Sequence, residues 1–294
     1  MTNVREDALA LHHITALPLD LEDPFYARYT LLKLGVAEGV DFYATRLADV
    51  VEDWLARQTE ASEWVLTAPA YHAIPAAANL LCADVHALLA GRLPAPAAVS
   101  MVELRHERID AAALGARELQ RWEDYSRLGW NERVASRARS DSLTIEDRTF
   151  AGRAVLFVND INVTGAQRRG MAAYFQRVEV ARVVWVSVID VDEAVGRREP
   201  QLEFALNTSR RLSVKELAEV LTRPGTRFTS KCMGRIFAFE PEEMERFLTA
   251  LGANLRATVL RLALAEGRFD GTDCAEKMAL LRAACARDGL AATR

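Results

Sequence analysis

Ala154-Val155-Leu156-Phe157-Val158-Asn159-Asp160-Ile161-Asn162-Val163-Thr164-Gly165-Ala166-Gln167-Arg168 is the stretch on which the reading of this chain turns. Val155 to Val158 is an unbroken apolar run, the pattern of a strand buried on both faces. Asn159 and Asp160 stand where that strand is expected to end. Thr164-Gly165-Ala166 supplies a small-residue turn, and a helical pattern begins near Arg168. In an open α/β sheet, ligands bind outside the carboxyl ends of the strands. A turn that opens into a helix N-terminus offers backbone N–H groups and the positive end of a dipole to an anion. Hydroxyl-binding groups therefore stand beside a phosphate-binding turn, the combination that a sugar phosphate needs.

Working outward, Glu63 to Thr67 reads as a first buried strand, Val99 to Leu104 as a second, and Arg182 to Ile189 as a fourth after the one just quoted. Helical periodicity runs from Ala37 to Gln58, with Val40, Ala44, Leu47, Val51 and Leu55 on one face. Further helices are expected at 75–90, 171–178, 214–221, 241–266 and 272–287. Residues 1–24 read as an irregular arm closed by Pro24. Strands alternating with helices predict an α/β fold, a parallel sheet flanked by helices, with a helical C-terminal extension. The expected division is an N-terminal arm over 1–27, an α/β domain over 28–200 and a mainly helical region over 201–294 packed on it.

The chain has 294 residues, half of them hydrophobic, enough for a sizeable core. Its net charge of −4 gives no global basic character that would point to nucleic acid. Cys82, Cys232, Cys274 and Cys285 are widely spaced and read as reduced, buried thiols of a cytoplasmic protein. No apolar run reaches the roughly 20 residues of a membrane span. The phosphate loop of nucleoside triphosphatases, the Gly-x-Gly-x-x-Gly turn, HExxH and the Gly-x-Ser-x-Gly elbow do not occur, which sets aside those chemistries.

Residues 154–168 resemble the phosphoribosyl-diphosphate (PRPP) motif of type I phosphoribosyltransferases: an apolar strand, two acids, three mixed residues and a Thr-Gly turn. The resemblance implies that Asn159 and Asp160 bind the ribose hydroxyls, with Asp160 also favouring a cationic sugar and contacting Mg²⁺. It implies that Val163, Thr164, Gly165, Ala166 and Gln167 grip the 5′-phosphate. Two positions depart from the motif: Asn159 replaces the first acid, and Gln167 replaces the final hydroxyl residue. By chain order, the loop with Ala70, Tyr71 and His72 matches the one that binds pyrophosphate through its N–H groups in that family. The arginine-rich segment from 105 to 148 matches the family's mobile lid, with Arg105 the better anchored cation and Arg133 and Arg137 the lid residues.

Tyr29-Thr30-Leu31-Leu32-Lys33-Leu34-Gly35 loosely resembles a Tyr-x-x-x-Lys-x-Gly string in phosphoribosyltransferases encoded with tellurite-resistance genes, which makes Lys33 a substrate contact. Asp190 and Asp192 follow the fourth strand, near where the acceptor is expected, and Asp190 is a second substrate candidate; the other use of acidic residues after a strand, open to both, is to cap the next helix. The implied activity is transfer of 5-phosphoribosyl from PRPP to a nitrogen-containing small-molecule acceptor, with Mg²⁺, by a homodimer that engages neither membrane nor nucleic acid. The alternative is a PRPP- or nucleotide-sensing regulatory protein that keeps the fold without turnover.

Overall fold

A computed structural model describes residues 4–59, 63–93, 99–106, 147–271 and 274–289. Five strands, β1 (Arg5–Ile14), β2 (Trp64–Thr67), β3 (Val99–Met101), β4 (Ala154–Asn162) and β5 (Arg182–Val191), form one parallel sheet in the order β1-β5-β4-β2-β3. β4 pairs with β2 on one side from Ala154 to Phe157 and with β5 on the other along its length, so its first half is held on both sides. Val155, Leu156, Phe157 and Val158 are buried on both faces. Burying each contributes on the order of 1.5–3 kcal/mol relative to exposure, which explains why this run anchors the fold.

Helices α1 (Pro24–Leu34), α2 (Ala37–Leu55) and α3 (Ala77–Arg92) contribute to one large core with Leu156 and Val158. On the other face α4 (Ala166–Arg177) packs Tyr174 and Phe175 over Phe157 and Trp185. Two short helices follow β5, α5 (Glu193–Arg198) and α6 (Leu202–Asn207). Then come α7 (Val214–Leu221), α8 (Ser230–Phe237), α9 (Pro241–Ala250), α10 (Ala253–Glu266) and α11 (Ala275–Arg287), which build a second core around Phe247, Phe269 and Leu281. Leu31, Leu34, Val36 and Ile74 also enter that core, so the helical region packs directly on α1 and on the loop after β2. Leu202 and Leu206 belong to the sheet's core instead, so the change of core falls after Leu206 rather than at residue 200.

The N-terminal arm expected over 1–27 is a correction. Residues 5–14 form β1, an edge strand paired along β5, and Pro24 opens α1 instead of closing a loop. Leu9 and Leu11 of the strand pack half-buried against the sheet's core, and charged side chains hold its start. Arg182 bonds Asp7, and Glu6 accepts from Trp185 and Arg168. The single helix expected over 241–266 is two, because Leu251 and Gly252 leave the helical region between α9 and α10. β4 is longer than its apolar run predicts: Asn159 and Asp160 lie within it, continuing the pairing with β5. All four cysteines are buried and none forms a disulfide. Among the described residues no helix is long and apolar enough to cross a membrane.

Candidate functional site

The sheet reverses its order of connection between β2 and β4. From β2 the chain moves outward to β3; from β4 it moves the other way to β5. The crevice outside the carboxyl ends at such a switch point is where open α/β sheets bind ligands. Two loops flank it: Ala68 to Pro75 after β2, and Val163-Thr164-Gly165 after β4.

The second of these is a compact turn. Gly165 sits at φ 66°, in the left-handed region that a side chain strains to enter. Asn162 pins the turn: its Oδ1 accepts from the Gly165 N–H at 3.0 Å, and its Nδ2 donates to Asp190 at 2.7 Å. Arg169 folds back to donate to the Thr164 carbonyl at 3.0 Å, and a Cβ on Gly165 would lie 2.9 Å from its guanidinium. The first-turn N–H groups of α4 at Gln167 and Arg168 have no carbonyl one turn back, as at any helix start, so the positive end of a 12-residue helix faces the turn. From behind, Gly196 of α5 packs so closely on the Val163 carbonyl that any Cβ there would overlap it.

Asn159 and Asp160 leave β4 on opposite faces, as consecutive strand residues do. Asp160 turns toward α1, 8% exposed, where it is ion-paired with Lys33 and accepts from the Tyr29 hydroxyl at 3.1 Å. Lys33 also donates to Glu203 of α6 at 3.3 Å. Burial alone would pull the Lys33 ammonium down; the Asp160 and Glu203 carboxylates outweigh it and hold it above its ordinary value. Burial, reinforced by the same carboxylates, pushes the Tyr29 phenol well up. Two carboxylates against one ammonium leave the cluster formally one negative charge.

On the α4 face Asn159 donates to its neighbour carbonyl Ile161 at 2.8 Å and to Gln167 Oε1 at 3.0 Å. The two residues that depart from the motif are thus bonded to each other across the turn. A small groove runs beside them, with Asn159, Asn162, Arg168, Ser187 and Asp190 as polar lining and Phe157 and Trp185 among its apolar walls. Asp190 also lies 3.6 Å from His13. Asp192 caps α5, its carboxylate accepting from the Ala194 N–H at 2.8 Å.

The loop after β2 is tied down on every side. Tyr71 continues the sheet in an isolated parallel bridge with Arg105, whose guanidinium lies 3.9 Å from the Tyr71 ring centre and donates to the His72 carbonyl at 3.0 Å. Asn79 holds Pro69 and Ala76. The His72 ring contacts the carbonyls of His106 at 3.3 Å and Ala265 at 3.2 Å. The N–H groups of Ala73 and Ile74 both donate to one carboxylate oxygen of Glu266, at 3.1 and 2.9 Å.

Among known protein families, a family model described as PRTase ComF-like matches residues 6–281. The chain belongs to the ComF-like phosphoribosyltransferase family. The parallel sheet with flanking helices is the fold expected of that membership. A search of the curated proteins finds no match.

In this ComF-like chain the structure brings Asn159, Thr164, Gly165, Ala166, Gln167 and Asp190 to one end of β4 and β5, and sets Ala70, Tyr71, His72 and Arg105 across the switch point. It takes Asp160 and Lys33 off that surface and joins them to each other. Arg133 and Arg137 lie outside the described residues, as does most of the expected lid. Sequence reasoning missed Tyr29, Asn162, Gly196, Glu203 and Glu266. Asn162 and Gly196 carried faint signals, a polar residue before a Thr-Gly turn and a lone glycine inside a helix. Glu203 and Glu266 carried none, because each meets its partner across 170 or more positions of chain.

Proposed function

We propose that this protein binds PRPP at the carboxyl ends of β2 and β4 and transfers its 5-phosphoribosyl group to a nitrogen-containing small molecule, releasing pyrophosphate. The observation that carries this reading is the Thr164-Gly165-Ala166 turn: a left-handed glycine, pinned by Asn162, delivers the start of α4 to the sheet's switch point. The 5′-phosphate sits on that turn and on the Gln167 N–H. Asn159 and Asp190 meet sugar hydroxyls from the groove. The net negative Asp160–Lys33–Glu203 cluster favours the positive charge that builds on the sugar as pyrophosphate departs. Arg105 balances the charge on the leaving group.

Among the described residues no group of three or more His, Cys, Asp or Glu side chains could hold a metal ion. The Asp160 carboxylate is already engaged by Lys33 and Tyr29. This donor set suits an ion carried in on the substrate's phosphates, as Mg²⁺ ordinarily is in phosphate chemistry. Mg²⁺ would then supply charge neutralisation at the diphosphate while the chain's own groups position the sugar.

A second reading, binding of PRPP without turnover, draws support from the same ion pair, since Lys33 neutralises the one acid that the motif retains. Pyrophosphate release from PRPP and Mg²⁺ across a panel of nitrogen bases separates the two. Release with any base supports transfer. Tight PRPP binding with no release for every base supports the sensor, and no binding at all refutes both.

A further inference from the structure

The contact between Glu266 and the loop after β2 links two parts of the chain that share no sequence neighbourhood. Ala73 N–H and Ile74 N–H converge on a single oxygen, Glu266 Oε2. Two adjacent amides converging on one oxygen form a site for an anion, and here the anion is a carboxylate of the same chain. Arg268 stands beside it, its Nε 3.8 Å from the other carboxylate oxygen, with both side chains about one-tenth exposed. Glu266 is the last residue of α10. Gly267 immediately after it is left-handed at φ 77°, so the carboxylate hangs at a helix end next to a glycine joint. The neighbouring grips are all to backbone carbonyls: His72 to Ala265, Ser230 N–H to Pro75, and Arg268 to Ser230.

We infer that Glu266 acts in cis as a competitor for the anion site of the β2 loop, a latch that the diphosphate of an incoming ligand must displace. The inference rests on the reading of this loop as the diphosphate subsite and extends that subsite from Ala70, Tyr71 and His72 to the N–H groups of Ala73 and Ile74. A phosphate oxygen and the Glu266 oxygen cannot both occupy the point on which the two N–H groups converge. Occupancy by ligand therefore frees the end of α10, and with it the turn at Gly267, while Arg268 stays to pair with the newcomer. Ligand binding at the sheet is thereby coupled to the C-terminal helical region, which otherwise touches the site only through structural contacts.

The test uses the full chain and inorganic pyrophosphate, measured by calorimetry for wild type, Glu266→Ala and Glu266→Asp. Glu266→Ala empties the site and is expected to tighten pyrophosphate binding at least tenfold. Glu266→Asp shortens the reach by one methylene and is expected to tighten it by less. Ribose 5-phosphate, titrated on the same proteins, reports the Thr164–Gln167 turn separately. Failure of ribose 5-phosphate to bind any of them sinks the proposed function, whereas its binding alongside an unaltered pyrophosphate affinity in both variants sinks the latch alone. Should Glu266→Ala not fold, hydrogen exchange on wild type decides. Saturating pyrophosphate is expected to speed exchange in the last turn of α10 and slow it at Ala73 and Ile74; no change at either place overturns the latch.

Discussion

Replacing Lys33 with methionine removes the ammonium to which both Asp160 and Glu203 are bonded. Methionine keeps the apolar stem and much of the length, so the change is chiefly one of charge. Side-chain exposure is 11% for Lys33, 11% for Asp160 and 13% for Glu203, so water offers little relief to the two stranded carboxylates. Breaking a buried ion pair by deleting one partner costs about 3–5 kcal/mol. Asp160 keeps its bond from Tyr29, which places the expected loss near the lower end, about 3 kcal/mol. At ~2–4 °C per kcal/mol for a chain of this class, the melting temperature falls by roughly 6–12 °C. The assay is urea unfolding and calorimetry on Lys33→Met, Asp160→Asn and the double variant. The double variant is expected to be more stable than Lys33→Met alone, because the second change removes one of the two stranded charges and leaves only that of Glu203, with a coupling of about 1 kcal/mol or more. A loss below about 1 kcal/mol for Lys33→Met, or simple additivity in the double variant, would falsify the buried pair and the neutralisation of Asp160 drawn from it.

Three further outcomes follow from the geometry. Gly165→Val puts a β-branched residue at φ 66° against the Arg169 guanidinium; about 1–2 kcal/mol of backbone strain and at least a tenfold loss of ribose 5-phosphate affinity are expected, read by thermal melting and calorimetry. Gly196→Ala forces the Val163 carbonyl away and is expected to cost about 1–3 kcal/mol and, through the turn, to weaken binding of the same ligand; unaltered affinity would show that the turn does not depend on α5. Lys33 and Tyr29 both hold their protons more tightly folded than unfolded, so the stability they contribute is fully present below their unfolded values, about 10.4 and 10, and is lost as pH rises through the higher folded ones. Melting temperature measured from pH 8 upward is therefore expected to fall steeply above about pH 10, less so in Tyr29→Phe, and a flat profile would contradict the shared cluster.

The motif's apolar run was legible because a strand buried on both faces needs neither alternation nor partners to announce itself. The end of that strand was not. Asn159 and Asp160 look like loop residues in sequence, yet β5 continues to pair alongside them and draws them into the sheet. The same pairing explains β1. Its Arg5-Glu6-Asp7 start reads as a solvated arm until Arg182, Arg168 and Trp185 are brought to meet it. The helix break at Leu251 and Gly252 carried a glycine as its signal, one that the surrounding periodicity obscured.

For the site, sequence alone determined the turn. A glycine between a strand and a helix, flanked by Thr164 and Ala166, is a local device whose left-handed conformation is written at its own position, although Gly196 of α5 backs the turn from farther along the chain. What Asp160 and the β2 loop do was decided only in three dimensions. A carboxylate's role depends on which charge reaches it, and Lys33 arrives from 127 residues away along the chain. A loop's N–H groups are open or closed according to what folds over them, and Glu266 comes from 192 residues beyond Ile74. Backbone conformation is encoded where it occurs, whereas electrostatic partnership belongs to whichever segments the packed core brings together.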